Sequence, residues 1–112
     1  MLKSNGKKII SKVKVASEFG KIKGLMFEKK SKHDYALIFN MHTESRVGSS
    51  LHMLFVFFPI DVLFLNSEKK VVDKSTLKPW QLNYTPKKAA RFVVELPQGL
   101  GNKIKLGSKV SW

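Results

Sequence analysis

The sequence predicts a mostly β fold: a small single-domain antiparallel β barrel or sandwich with one or two short helical segments. Several strand-length apolar runs are rich in β-branched and aromatic residues, and proline, glycine and polar clusters separate them. The longest run, residues 51–65, is shorter than the roughly 20 residues that a membrane-spanning helix needs, and Pro59 would break a helix. A chain of 112 residues with 43% hydrophobic residues can bury one modest core, so residues 1–112 are expected to form one domain.

The first half of the chain contains two predicted strands. Residues 7–16 alternate imperfectly between apolar residues and lysines, which indicates a strand that exposes its lysines on one face. Ser17 is a candidate N-cap for a short helix that Gly24 would end. Residues 35–41 are predicted to form a strand, and the polar residues 42–49 are predicted to form a loop whose tip carries Arg46.

The apolar centre of the chain predicts a three-stranded antiparallel meander. Residues 50–56 would form its first strand and residues 60–65 its second, with a tight apolar connection at residues 57–59. A polar turn at residues 66–69 would lead into the third strand, residues 70–74.

The last third of the chain is predicted to contain an irregular stretch, a strand and a short strand. Residues 74–88 are irregular, and residues 90–96 are expected to form a strand that Pro97 and Gly99 end. Residues 98–103 can make one helical turn, and residues 107–112 a final short strand. The total is six or seven strands.

Residues 50–53 (SLHM) and 58–65 (FPIDVLFL) together resemble the central motif of the uncharacterised prokaryotic family known as domain of unknown function 192. Three outlying segments match in the same order, with the sequences KGLM, LKPW and AARFVVELPQG. The commoner bacterial pattern has tryptophan at the position of His52 and a Lys-Asn pair at Leu54 and Phe55, so the chain is more similar to the archaeal branch. The resemblance implies a compact, mostly β domain and no established activity.

Net charge is the strongest compositional signal, at +13. Residues 1–32 and 69–112 are each strongly basic, whereas residues 33–68 carry Arg46 against four acidic side chains. Only two of the 21 basic residues are arginine, the side chain suited to reading bases. We therefore interpret the lysines mainly as a solvated surface; the alternative is a weak, sequence-independent and salt-sensitive contact with nucleic acid.

Several function classes receive no support from the sequence. The chain has no cysteine, which excludes disulfides, thiol nucleophiles and thiolate metal sites. It has no phosphate-binding glycine loop, and we expect no cofactor. It begins without a secretory signal and has no predicted transmembrane segment, so a cytoplasmic location is the expectation.

Asp61 is the most informative polar residue because it lies within an apolar run, where a carboxylate must point outward or find hydrogen-bond donors. We predict a structural role in which it accepts backbone amides near the Pro59 turn or pairs with Arg46. The alternative is a small hydrolase or other enzyme with a site around Asp61, His52 and Glu44.

Two pairs of residues carry metal-ligating side chains, but the sequence does not predict a metal site. His42 and Glu44 would share one strand face, and His52 and Asp61 would be cross-strand neighbours in the predicted meander. The three histidines, however, lack a metal-binding spacing.

Pro79 and Trp80, with Tyr84, indicate an aromatic loop. Such a loop can stack on a base, a sugar or an apolar partner, or it can close one end of a small β domain. The leading functional interpretation is a non-enzymatic binding or accessory domain that recognises its partner through Arg46 and Trp80, beside a lysine-rich flank.

Overall fold

A computed structural model describes residues 1–16, 29–46, 56–81 and 84–112 of the chain. Over these ranges it contains eight strands and two single turns of 3-10 helix, and no helix among these residues is long and apolar enough to cross a bilayer. The strands are β1 Leu2–Ser4, β2 Lys7–Ile10, β3 Val13–Ala16, β4 Ala36–Ser45, β5 Ile60–Leu65, β6 Val71–Leu77, β7 Ala90–Pro97 and β8 Val110–Ser111. The 3-10 turns are Lys30–Lys32 and Leu100–Lys103.

The larger sheet has five described strands in the order β3-β4-β7-β5-β6. All six residues of β5 are buried, because β5 is hydrogen-bonded to β6 on one side and to β7 on the other and both of its faces are covered. Ile60, Val62 and Phe64 contribute to the core on one face, and Leu63 and Leu65 contribute to the core on the other.

The smaller sheet has the strand order β2-β1-β8 and packs on one face of the larger sheet. Leu2, Ile9 and Val110 come from this sheet and share a core with Leu63 and Val94 from the larger one. The two layers therefore enclose one core as in a sandwich. The second core lies on the opposite face of the larger sheet.

The structure confirms the predicted fold class: the described chain is mostly β, with two sheets in a sandwich-like arrangement and only short 3-10 turns. Of the two architectures predicted, the sandwich is the one found, since the described strands do not close into a barrel. The predicted strands at residues 35–41, 60–65 and 90–96 correspond to β4, β5 and β7, and the predicted turn at residues 98–103 is the second 3-10 turn.

The three-stranded meander is corrected. Strands β5 and β6 pair antiparallel as predicted, and β6 continues to Leu77, beyond the predicted end. The other neighbour of β5 is β7, which takes the place that the prediction gave to residues 50–56. Nearly all of that segment lies outside the described residues, as does the helix predicted after Ser17.

Three further expectations are corrected. Residues 7–16 form two strands in different sheets, because Ile9 is buried in the core between the sheets while β3 begins at Val13 beside β4. The β3–β4 pair is parallel, so the larger sheet is mixed and not wholly antiparallel. Residues 42–45, predicted as part of a loop, continue β4.

Candidate functional site

Asp61 is buried, with 5% of its surface exposed, and its carboxylate is surrounded by donors. The Thr76 hydroxyl donates to Oδ1 at 2.7 Å, and the backbone amides of Gly99 and Gly101 each donate to Oδ2 at 2.8 Å. As predicted, the carboxylate accepts backbone amides. These amides come from the loop after β7 and not from the Pro59 turn. Among the described contacts of Asp61 there is none with Arg46, whose Nε bonds to Pro86.

Two glycines in the loop after β7 allow its backbone to approach the Asp61 carboxylate closely. Gly99 has a φ of +100°, which side chains strongly disfavour, and it precedes the second 3-10 turn. A Cβ on Gly101 would lie 2.9 Å from Asp61 Oδ2, so only glycine lets the backbone approach this closely. The two amides point at one carboxylate oxygen and so form a small anion-binding concavity, and here the anion is a side chain of the same protein.

Lys74 holds the other side of the same loop. Its Nζ donates to the carbonyl oxygens of Gly101 at 3.2 Å and Ile104 at 2.7 Å. Beside Asp61 lies a pocket of about 210 Å³. It is lined by Asp61, Val62, Lys74, Ser75, Thr76, Gly101 and Asn102. Both charged groups at this pocket are already engaged in holding the loop.

The loops at this end of the larger sheet also carry an exposed aromatic pair. Ile60, Leu77 and Pro97 lie side by side at this end of the sheet, which we call the Trp80 end. Phe57 is 56% exposed and Trp80 45% exposed, and their rings meet edge to face with centroids 5.5 Å apart. Aromatic side chains are enriched in the cores of protein interfaces, and tryptophan is among the residues that contribute most to binding.

The Trp80 turn is held in an unusual conformation. Trp80 has a φ of +62°, in the left-handed region that non-glycine residues rarely occupy. The Gln81 amide donates to the Lys78 carbonyl at 3.2 Å, and the Lys78 amide donates to Gln81 Oε1 at 3.2 Å. The hydrogen bonds of the turn thus fix the backbone that displays the indole ring.

A second, smaller pocket of about 130 Å³ lies next to the aromatic pair along the chain. It is lined by Lys30, His33, Phe58, Pro59, Pro97 and Gln98. His33 is 5% exposed and packs its ring on Tyr35 and Phe58, with centroids 5.2 and 5.5 Å away. We call this cavity the His33 pocket.

Arg46 and Glu44 lie at the opposite end of the larger sheet, beyond Leu65. Arg46 is exposed and its Nε donates to the Pro86 carbonyl at 2.9 Å, while Glu44 Oε1 accepts the Ser67 amide at 2.9 Å. Strand β5 separates this Arg46 end from Trp80 by five residue steps, or roughly 17 Å. The structure therefore does not bring Glu44 to Asp61, or Arg46 to Trp80.

Tyr84, predicted to belong with Trp80 in an aromatic loop, packs into the fold. Its ring stacks on Phe64 with centroids 5.5 Å apart, and its hydroxyl donates to Asp73 Oδ2 at 2.7 Å. Burial, and next the hydrogen bond to Asp73, raise the pKa of the Tyr84 phenol above its usual range. Asp73 also accepts the Lys87 amide at 3.0 Å, so this carboxylate orders the chain after the Trp80 turn.

The remaining histidine candidates lie largely outside the described structure. His52 is not among the described residues, and of His42 only the backbone is. Within the described ranges, no three histidine or acidic side chains come close enough together to hold a metal ion.

Glu95 is a buried acid that the sequence interpretation did not single out. It is 6% exposed, lies between Leu37 and Val62 on the neighbouring strands, and burial raises its pKa to about 8. Its Oε1 has no hydrogen-bond partner among the described residues. The pattern VVELP carries the signal that marked Asp61, an acid within an apolar strand.

Comparisons with known proteins agree with this fold. The chain is 45% identical over 103 residues to a UPF0127 protein of Pyrococcus horikoshii, covering 89% of this chain and 86% of that one. A UPF0127 protein of Pyrococcus furiosus is 42% identical over 112 residues, with 97% and 93% covered. A solved protein of unknown function from Novosphingobium aromaticivorans shares the fold with a TM-score of 0.79 at 23% identity, covering 89% of this chain and 74% of that chain. The family model DUF192, described as an uncharacterized ACR, matches residues 1–112, and the chain belongs to that family.

Proposed function

We propose that the protein is a non-enzymatic binding domain that recognises an acidic, apolar segment of a protein partner at the Trp80 end of the larger sheet. The observation that carries the proposal is the exposed edge-to-face pair of Phe57 and Trp80. Tryptophan is among the commonest residues in interface hot spots, and an exposed aromatic pair offers a large apolar area at little cost in side-chain entropy.

Three further features support the proposal. The left-handed backbone at Trp80 costs free energy, and such strain is typically retained where a side chain must be displayed for function. The neighbouring His33 pocket, at about 130 Å³, suits one apolar anchor side chain. Lys78 is exposed beside Trp80 and Lys30 lines the pocket, so the surroundings favour negative charge in the partner.

The enzyme alternative, with a site around Asp61, His52 and Glu44, has weaker support. The Asp61 carboxylate is occupied by three donors from its own chain, and Glu44 bonds to the turn at the far end of β5. A general acid or base must itself lie within hydrogen-bond reach of the reacting group of the substrate. Asp61 and Glu44 are instead bonded to their own chain, at opposite ends of β5.

The experiment is a binding titration with synthetic ten-residue peptides that combine leucine and phenylalanine with aspartate and glutamate. Trp80 fluorescence is followed in a Trp112→Phe background, so that one indole reports. The acidic peptides are expected to bind, and counterparts with lysine in place of each acid are not. Phe57→Ala and, with labelled peptide, Trp80→Ala should each weaken binding by at least about 10-fold.

Leu106→Ala is the matched control, because Leu106 is 62% exposed but follows the second 3-10 turn towards the Arg46 end. It should bind like the parent protein. Acidic peptides that bind the Phe57→Ala and Trp80→Ala proteins as tightly as the parent would overturn the proposal, as would a complete lack of binding.

A further inference from the structure

The outward face of the smaller sheet carries directly opposed lysines. Lys3 lies between the buried residues Leu2 and Ser4 on β1, so its side chain points away from the core. Its cross-strand partner on β2 is Lys8, which is also exposed. Side chains opposed in this way have Cβ atoms about 4.5–5.5 Å apart.

Two more lysines continue this row. Lys109 and Lys70 are exposed and face each other across an isolated antiparallel bridge. Ser111, which is opposite Lys3, lies two residues from Lys109, so Lys3 and Lys109 are diagonal neighbours at about 7–8 Å. We call Lys3, Lys8, Lys70 and Lys109 the lysine face; it extends over roughly 18 Å.

The lysine face is poorly neutralised within the protein. Lys70 has Glu68 at 3.7 Å, but in the described parts of the chain Lys3, Lys8 and Lys109 have no acidic partner within 4 Å. Like charges placed directly opposite each other on a sheet are destabilising. An external anion would relieve this repulsion at both opposed pairs.

The aromatic side chain nearest in sequence to this row is already engaged by residues of its own chain. Trp112 packs edge to face on Phe92 at 5.3 Å, and Lys69 Nζ covers its ring at 4.1 Å from the centroid. A ligand of the lysine face therefore meets charge without a stacking platform, whereas single-stranded nucleic acid is bound largely by stacking.

From this geometry we infer that the lysine face binds the phosphate backbone of double-stranded nucleic acid without reading its sequence. A duplex carries about one phosphate charge per 1.7 Å of its axis, so an 18 Å row of lysines can meet a phosphate at every position. An anionic membrane is the less suitable partner, because the four residues of the face contribute no apolar side chain to insert between lipids. This surface is separate from the Trp80 end, and the inference does not depend on the peptide proposal.

The test is fluorescence anisotropy of a labelled 25-base-pair DNA duplex between 50 and 200 mM NaCl. With four phosphate contacts, the affinity of the parent protein should fall by about 100-fold over this range. The variant Lys3→Gln/Lys8→Gln/Lys109→Gln retains one contact and should bind weakly at 50 mM, with a fall of only about 3-fold. Thermal melting should find it at least as stable as the parent, because it lacks the repulsion between Lys3 and Lys8.

The control variant Lys29→Gln/Lys32→Gln/Lys88→Gln removes the same charge from exposed lysines outside the face and should keep the salt dependence of the parent. Equal loss of affinity in both triple variants would overturn the inference in favour of net charge alone. It would also be overturned by no binding at 50 mM NaCl, by tighter binding to phosphatidylserine vesicles than to DNA at equal salt, or by sequence-selective binding that persists at high salt.

Discussion

Replacement of Asp61 distinguishes a structural carboxylate from a catalytic one. In Asp61→Ala the hydroxyl of Thr76 and the amide of Gly99 can donate to water instead, because both residues are exposed. The amide of the buried Gly101 is left without an acceptor. An unpaired buried donor costs about 1–3 kcal/mol, and the lost bonds of the other two groups add to this. We expect a total loss of about 3 kcal/mol in the free energy of unfolding.

Asp61→Asn should cost less, about 1 kcal/mol. Its amide oxygen can accept both glycine amides at the position of Oδ2, and its NH₂ group can donate to Thr76 Oγ1 at the position of Oδ1. Only the added strength that the negative charge gives to these bonds is lost.

The assay is urea denaturation at pH 7, and the expected order of stability is parent, then Asn, then Ala. Asp34→Ala is the control, because it removes the same charge from a side chain that is 56% exposed and should change stability by less than about 1 kcal/mol. An Asp61→Ala protein as stable as the parent would refute the structural role. A catalytic carboxylate would then become the better explanation, since removal of such a group often leaves stability unchanged or higher.

Three other substitutions test neighbouring parts of the account. Gly101→Ala should destabilise the protein by about 1–3 kcal/mol in urea, because its Cβ would lie 2.9 Å from Oδ2 and 3.0 Å from Cβ of Asp61. The loss should be smaller in an Asp61→Ala background, which removes the carboxylate but keeps Cβ; an additive pair would contradict the contact with the carboxylate. The pKa of Glu95 is about 8 in the folded protein against 4.5 ordinarily, so its contribution to stability is complete below pH 4.5 and should decline by about 1.4 kcal/mol per pH unit between pH 5 and 8. Glu95→Gln should remove that slope in denaturation series, and an unchanged slope would refute the assignment. Tyr84→Phe keeps the stacking on Phe64 but loses the bond to Asp73, and a loss of about 1 kcal/mol is expected on thermal melting; unchanged stability would show that this bond contributes nothing.

The strands that the sequence predicted best are those whose residues are buried on both faces. Strands β5 and β7 each contain a short run with clear ends that is apolar apart from one acid, Asp61 in β5 and Glu95 in β7. Such a run can be recognised without knowing which strands lie beside it. The order of the strands in the sheet could not be predicted in the same way. Strand β7 follows β6 in the chain but pairs with β5 and β4, and no local pattern encodes that choice.

The sequence predicted that Asp61 would need hydrogen-bond donors, but it did not predict which residues would supply them. Its position within an apolar run required hydrogen-bond donors, and donors are present. The donors are the hydroxyl of Thr76 and the amides of Gly99 and Gly101, and the two glycines lie 38 and 40 residues away from Asp61. No local sequence pattern predicted these partners. Arg46 and Trp80 were grouped because both were expected on exposed loops, whereas the sheet holds them at opposite ends.

The most direct test of the central proposal is a titration followed by the two tryptophan indole N–H signals in ¹H–¹⁵N correlation spectra of the intact protein. The probe is the acidic leucine–phenylalanine peptide that binds most tightly in the fluorescence assay. The account predicts that the Trp80 indole signal shifts in a saturable manner. The signal of Trp112, which packs on Phe92 away from the Trp80 end, should not shift. A shift at Trp112 alone, or no shift at Trp80 at peptide concentrations that saturate binding, would contradict it.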